Sequence, residues 1–177
     1  LGLVTRPSGG RAVLHQGGLT YAVVTGATGG KRREIYQHIC QFLIQGWNQL
    51  GLPLTYGRGG RGYIHNASCF STATVADLVS VTGDKLIGSA QRQTSNALLQ
   101  HGEMIWNGDR HLFELVFDQP APWQKTMAEL TNDPSLPQVL KVLTTAAHHH
   151  FQFQCRLQWE PLTPQEWAMV QEKCRKY

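Results

Sequence analysis

One stretch constrains this chain more than any other: Gly83-Asp84-Lys85-Leu86-Ile87-Gly88-Ser89-Ala90-Gln91. It reads as a Gly-Asp turn feeding a short apolar strand, which then carries Gly-Ser-Ala where bulky side chains are the norm. Small residues in a strand let another molecule approach the backbone closely. Lys85 is a lone cation at the mouth of that strand, able to meet a carbonyl or a phosphate. The flanks supply the partners. Ala76 to Val81 reads as a strand, Thr82-Gly83-Asp84 as a turn, and Lys85 to Gln93 as the returning strand. Thr94-Ser95-Asn96 turns again, and residues 97–106 form a third strand. This antiparallel meander sets Gly88 to Ala90 beside the strand carrying His101-Gly102. His111 to Phe117 is expected to extend the sheet.

Ahead of the meander, Pro7 to Gly10 is a turn, Ala12 to His15 reads as a strand, and Gln16-Gly17-Gly18 as a second turn. Leu19 to Thr25, with β-branched and aromatic content, is the expected hairpin partner of that strand. Residues 32–50 show helical spacing through Ile35, Ile39, Phe42, Leu43 and Leu50, and Gly51 and Pro53 stop the helix. Cys40 then falls as a small core residue. Residues 57–62 are Gly-Arg-Gly-Gly-Arg-Gly; they lack the Gly-Lys-Ser/Thr ending of a phosphate loop and read as a surface loop. Cys69 lies in a loop-like setting of small polar residues, Asn66-Ala67-Ser68-Cys69-Phe70-Ser71.

Behind the meander, Pro120-Ala121-Pro122 marks a change of character. Residues 122–131 read as a short helix and 137–150 as a longer one. His148-His149-His150 reads as its end, near the negative pole of the helix dipole, rather than as a metal tract. Phe153 to Trp159 alternates as a strand. Thr163-Pro164-Gln165-Glu166 has the form of a helix start and opens a last helix through Lys176.

Composition narrows the function classes. The chain has 177 residues, 41% hydrophobic and 16% charged, which suits one globular domain spanning 1–177, its 119–177 portion included. The fold class expected is α/β (α+β), with a mixed, largely antiparallel sheet packed against helices. The net charge of +4 favours acidic partners, such as acidic carrier proteins. The longest basic cluster, Lys31-Arg32-Arg33, is too sparse to argue for nucleic acid. No apolar run reaches membrane-spanning length, and no export signal is visible, so a cytoplasmic setting with no membrane partner is expected. The four cysteines, Cys40, Cys69, Cys155 and Cys174, form no Cys-x-x-Cys pair, which argues against a zinc site. No metal site is expected. The chain opens on Leu1-Gly2-Leu3-Val4 without an initiator methionine and is expected to be a fragment or a processed form.

Three stretches together resemble one family, the lipoate–protein ligases and octanoyltransferases. TRPSGGRAVLHQGGLTYAVV is similar to its Arg-Arg-x-Ser-Gly-Gly-Gly-Ala-Val-x-His hairpin. SCFSTATVADLVSVTGDKLIGSAQRQTSNALLQHGEMIW resembles its lysine strand and the His-Gly strand that follows. EPLTPQEWAMVQEKCRKY resembles the C-terminal helix of the octanoyltransferase-like branch. The resemblance implies the fold of the biotin protein ligase catalytic domain, holding a medium-chain acyl group beside the sheet. It places Lys85 at the acyl carbonyl, where a cation stabilises the developing oxyanion. It places Arg6, Ser8, Gly9, Gly10, Arg11, Ala12 and His15 over the acyl head. Gly88, Ser89 and Ala90 become the wall of the acyl slot, with His101 and Gly102 on the neighbouring strand. Two departures stand out: Thr5 replaces the first motif arginine, and the family carries a further segment, with strands, ahead of this hairpin.

The resemblance also implies an acceptor, a lysine of a lipoyl-domain protein such as the glycine cleavage H protein or a 2-oxoacid dehydrogenase subunit. In the cysteine-dependent transferase branch the donor is an octanoyl acyl carrier protein, no cofactor is needed, and the nucleophile stands in a Cys-Phe motif upstream of the lysine strand. Cys69-Phe70 occupies the matching place. The alternatives are an ATP- and Mg²⁺-dependent ligase acting through an acyl-adenylate, and a non-catalytic acyl-binding member of the fold.

Overall fold

A computed structural model describes residues 2–5, 8–9, 11–26, 30–57, 77–152 and 160–174. The backbone of the meander follows the sequence closely. β3 (Asp77–Val79), β4 (Lys85–Gln93) and β5 (Ala97–Met104) are successive antiparallel strands. Gly83, at φ 92°, supplies the left-handed residue that the β3–β4 turn needs. The next turn is closed by Thr94, whose N–H donates to the Ala97 carbonyl at 2.8 Å. β5 ends at Met104; the Ile105 N–H still donates to the Leu86 carbonyl of β4 at 2.9 Å, and the chain then bends.

β1 (Leu19–Gly26) and β2 (Thr55–Tyr56) complete a five-stranded sheet in the order β1-β5-β4-β3-β2 among the described residues. The β1 strand forms as expected, but its expected hairpin does not. β1 pairs with β5 through eight register positions, from Leu19↔Met104 to Gly26↔Ala97. Of Ala12 to His15, only Ala12 makes a bridge. The turn explains this. Gly17 takes φ 62°, accepts from the Asn107 N–H at 2.6 Å, and packs so that a Cβ would stand 2.0 Å from the Asn107 carbonyl oxygen. Residues 13–18 are thereby tied to the bend after β5, and Val13 and Leu14 pack on a small cluster of Ile105, Phe113 and Trp123.

α1 (Arg32–Gln49) covers one face of the sheet, burying Ile39, Cys40, Phe42, Leu43 and Trp47. α4 (Leu136–Phe151) packs beside it, and Gly46 permits the approach: a Cβ there would lie 2.7 Å from a Leu143 methyl. Val139 and Leu143 of α4 join Ile87, Leu98 and Met104 of the sheet in one core. The three histidines end α4, as the dipole argument expects.

The segment His111–Phe117 is a helix, not a strand. α2 (Arg110–Phe117) is started by Asp109, whose carboxylate accepts from the Leu112 N–H at 3.1 Å. Its Phe113 and Phe117 then stack one turn apart, with ring centroids separated by 4.6 Å. Asp109→Ala is expected to cost about 1 kcal/mol, the usual worth of an N-cap, in a denaturant titration. α3 (Met127–Leu130) is shorter than expected and begins at a capping box between Thr126 and Glu129. The capping box expected at Thr163 and Glu166 opens α5 (Pro164–Cys174). The strand expected over residues 153–159 and the loop over 58–62 lie outside the described residues.

Candidate active site

Register decides what shares a face. Cross-strand partners in an antiparallel ladder project to the same side of the sheet. Glu103 of β5 opposes Gly88 of β4, and Gly88 opposes Asp77 of β3. These three form one row on the face turned away from α1. Strands lie about 4.7–4.9 Å apart, so the backbones of Asp77 and Glu103 are roughly 10 Å apart, with Gly88 between them. Glycine leaves that gap without a side chain.

Each carboxylate in the row holds a partner from the sequence motifs. Lys85 Nζ lies 2.9 Å from Asp77 Oδ1, and both side chains are almost fully buried, at 3% and 4% exposure. A register irregularity between Leu78 and Val79 falls beside Lys85, at a place where bulges commonly re-aim side chains. On the other flank, His15 Nδ1 donates to Glu103 Oε2 at 2.5 Å. Glu103 is buried at 4% exposure, whereas the His15 side chain is 62% exposed. Gly18 makes room for this carboxylate, which occupies the position a Gly18 Cβ would take. One row over, Ala90 opposes His101, and His101 Nε2 bonds the Ser8 hydroxyl at 2.6 Å. The segment from Ser8 to His15 is thus fastened to β5 at two alternate residues.

The opposite face carries the rest of the small-residue run. Ser89 and Gly102 are register partners, and Tyr21 opposes Gly102 from β1. The Tyr21 hydroxyl bonds Ser89 Oγ at 2.7 Å and accepts from Gln100 Nε2 at 3.0 Å. Gln100 also reaches Cys40 Sγ at 3.3 Å. Burial pushes the Tyr21, Tyr36 and Cys40 pKa values up, so these groups stay protonated at neutral pH. Cys40 is an inert core thiol, as its helical position implies.

The structure therefore brings together Lys85, Gly88, Ala90, His101, Ser8 and His15 around one face. It turns Ser89 toward the helix-side network instead. Gly9 takes φ 64°, and Ala12 makes a single strand bridge. Arg11 lies between them. Arg6, Gly10 and Cys69 lie outside the described residues. Sequence reasoning missed Asp77, Glu103, Tyr21 and Gln100. The signal for the first two is positional: each is the register partner of Gly88, which only the strand pairing reveals. Among the described residues, no three His, Cys, Asp or Glu side chains converge as a metal ion would require. No helix among them is long and apolar enough to cross a membrane.

Comparison with known proteins gives this arrangement a family. The chain is 35% identical over 138 residues to an octanoyltransferase LipM of Moorella thermoacetica, covering 73% of this chain and 50% of that protein. It is 36% identical over 139 residues to the same-named protein of Symbiobacterium thermophilum, covering 72% and 50%. The chain thus spans about half the length of these curated relatives. Its fold is similar to a crystal structure of lipoate-protein ligase A bound with ATP, with TM-score 0.68 and 18% identity over 90% of this chain and 62% of that one. It is also similar to a bi-partite lipoate protein ligase from Thermoplasma acidophilum, at TM-score 0.59 and 17% identity over 90% and 60%. Residues 1–109, more than half of the chain and including every element of the row described above, match the Biotin/lipoate A/B protein ligase family, and the chain belongs to that family.

Proposed function

We propose that this chain carries the chemistry of an acyltransferase that moves an octanoyl (or lipoyl) group onto a lysine of a lipoyl-domain protein. The observation that carries the reading is the buried Lys85–Asp77 pair beside the bare backbone of Gly88. A cation fixed next to an open strip of strand suits an acyl carbonyl lying against the sheet. The similarity to octanoyltransferases supports the acyl class.

In this reading the donor is an octanoyl acyl carrier protein, and the Cys69 thiolate attacks its thioester carbonyl. The Lys85 ammonium takes up the charge developing on oxygen, and Asp77 keeps that ammonium in place. The carrier thiol leaves, and an acyl-enzyme remains for the lysine of the acceptor to attack. Splitting the transfer in this way replaces one difficult step with two easier ones. The acceptor is a lipoyl-domain protein, of the glycine cleavage H type or a 2-oxoacid dehydrogenase subunit. A ligase would instead need ATP and Mg²⁺. The described carboxylates of the row do not fit a magnesium site, since Asp77 and Glu103 are each engaged by a basic side chain. No step here runs through a nucleotide.

Incubation with octanoyl acyl carrier protein should add the mass of one octanoyl group to the chain, and Cys69→Ser should abolish the adduct. An adduct that survives Cys69→Ser removes the nucleophile. Modification of a lipoyl domain that needs ATP and free lipoate, and is indifferent to Cys69→Ser, removes the transferase. Octanoate binding in a calorimeter without any turnover would leave an acyl-binding protein.

A further inference from the structure

The positive charge of this chain is unevenly placed, and much of it sits at one end of the sheet. β1 ends at Gly26 opposite Ala97, and Val24, Leu99 and Arg92 form a register row close to that end. Two strand spacings, about 10 Å, separate β1 from β4 there. α1 begins shortly after β1, so Lys31, Arg32 and Arg33 come to the same end. All of these basic residues are exposed. Gly46 meets Leu143 while His38 meets His150, so α4 runs antiparallel to α1 and finishes beside the start of α1. Among the described residues of α1, α4, β1 and the 94–96 turn, the one acidic side chain is Glu34. It lies 3.9 Å from Lys31 with both side chains largely exposed, a pair worth little in water. The surplus, four cations against one carboxylate, makes up most of the chain's net charge of +4. Fold stability does not ask for this arrangement: the start of a helix favours acids, and the cations that open α1 lie against its dipole.

We propose that this basic rim is the docking surface of the acyl donor, an acidic acyl carrier protein. This role rests on the acyl-transfer reading above. Charge complementarity selects an acidic partner, and reach selects the donor over the acceptor. Arg92 projects from the same face of β4 as Gly88 and Ala90, because side chains alternate along a strand. Four residues of strand, about 13 Å, separate Arg92 from Gly88. Ala90 is the one side chain of β4 between them on that face, so the strand forms a low track from the rim to the Lys85–Asp77 pair. A carrier protein bears its acyl thioester at the tip of a long flexible arm, which can lie along such a track. A lipoyl-domain lysine has only a four-carbon stem, and its own domain must come up to the acyl carbon. The rim is therefore too distant for the acceptor and suits the donor. No bond forms or breaks there. The rim raises the rate of productive encounter and sets the carrier in register with the track.

The test compares two octanoyl donors. One is octanoyl acyl carrier protein. The other is octanoyl-pantetheine, which offers the same thioester without the protein. Arg32→Glu, Arg33→Glu and Arg92→Glu, combined in one variant, should lower kcat/KM for loading from the carrier by about 10²-fold at low salt, within the range that electrostatic steering supplies. Loading from octanoyl-pantetheine should stay at the wild-type rate, and so should transfer from the loaded chain to a lipoyl domain. The two glutamates on α1 fall in its first turn, where they strengthen the helix, so the variant keeps its fold. Wild-type loading from the carrier should slow steeply between about 0.02 and 0.3 M salt, and loading of the variant should not. Equal slowing with both donors overturns the proposal, and so does an unchanged rate with both. A variant that loads normally but transfers slowly to the lipoyl domain assigns the rim to the acceptor and also overturns it. Fluorescence anisotropy with carrier protein bearing no acyl group supplies a readout free of turnover. Its Kd should weaken at least about 10-fold in the variant, and identical binding overturns the docking surface. If the wild-type chain takes an octanoyl group from neither donor, the acyl-transfer reading fails, and the anisotropy still decides the docking surface.

Discussion

Lys85→Met should cost about 3–5 kcal/mol of folding stability, because it takes the opposing charge away from the Asp77 carboxylate in an interior where both partners are almost fully buried. A methionine fills nearly the same volume, so the loss reports charge and not a cavity. For a domain of this size the expected drop in Tm is on the order of 10 °C. The double variant Lys85→Met, Asp77→Leu removes both charges and should recover most of that loss, since a hydrophobic pair of similar volume often matches or exceeds a buried ion pair. Denaturant titrations of the two single variants and the double variant form the cycle. A loss under about 1 kcal/mol for Lys85→Met would place the pair in contact with water and undo the desolvation argument. Octanoyl loading should fall in the double variant even though its stability returns. That separation of stability from activity distinguishes a cation kept for chemistry from one kept for packing.

Gly102→Val is the second large effect. A Cβ at Gly102 would stand 2.5 Å from the Gly88 carbonyl oxygen, 2.6 Å from the Tyr21 ring and 2.9 Å from Ser89 Oγ. The first of these atoms is backbone in the neighbouring strand and cannot swing aside. Either β4 and β5 part, or Tyr21 leaves Ser89 and Gln100. The expected cost is at the upper end of the roughly 1–3 kcal/mol seen for overpacked interiors. Tyr21→Ala, Gly102→Val should regain part of it, because the ring that blocks the space has gone. If Gly102→Val melts with the wild type, the close approach of Tyr21 to the sheet is wrong.

Much of the sheet is legible in the sequence because its information is local. Turn residues at 82–84 and 94–96 bracket β-rich runs, and β4 and β5 follow. The α1 helix follows from its apolar spacing. The failures have a common cause. Leu19–Gly26 has the composition of a strand, but nothing within it says that its partner lies near residue 100 rather than across the Gln16-Gly17-Gly18 turn. Likewise, His111–Phe117 has strand-like residues, and the decisive signal is one capping carboxylate at Asp109. The site divides in the same way. Lys85 and Gly88 are visible because a cation and a glycine are unusual in an apolar strand. Asp77 and Glu103 look like ordinary acidic residues until pairing brings them level with Gly88. Ser89, in the middle of the same small-residue run, goes to the other side because side chains alternate along a strand.

That alternation makes the Thr94-Ser95-Asn96 turn the indexing pawl of the whole site. Its hydrogen bonds, from the Thr94 N–H to the Ala97 carbonyl at 2.8 Å and from the Ala97 N–H to Thr94 Oγ1 at 3.1 Å, fix how far β5 travels against β4. A slip of one residue there would keep every strand and nearly every backbone hydrogen bond. It would also exchange the two faces of β5, sending Glu103 and His101 among the apolar side chains of α1 and α4 and bringing Gln100 and Gly102 out in their place. The chemistry of this chain is thus stored as a phase relation between two strands, and a short polar turn far from the reacting atoms holds it in step.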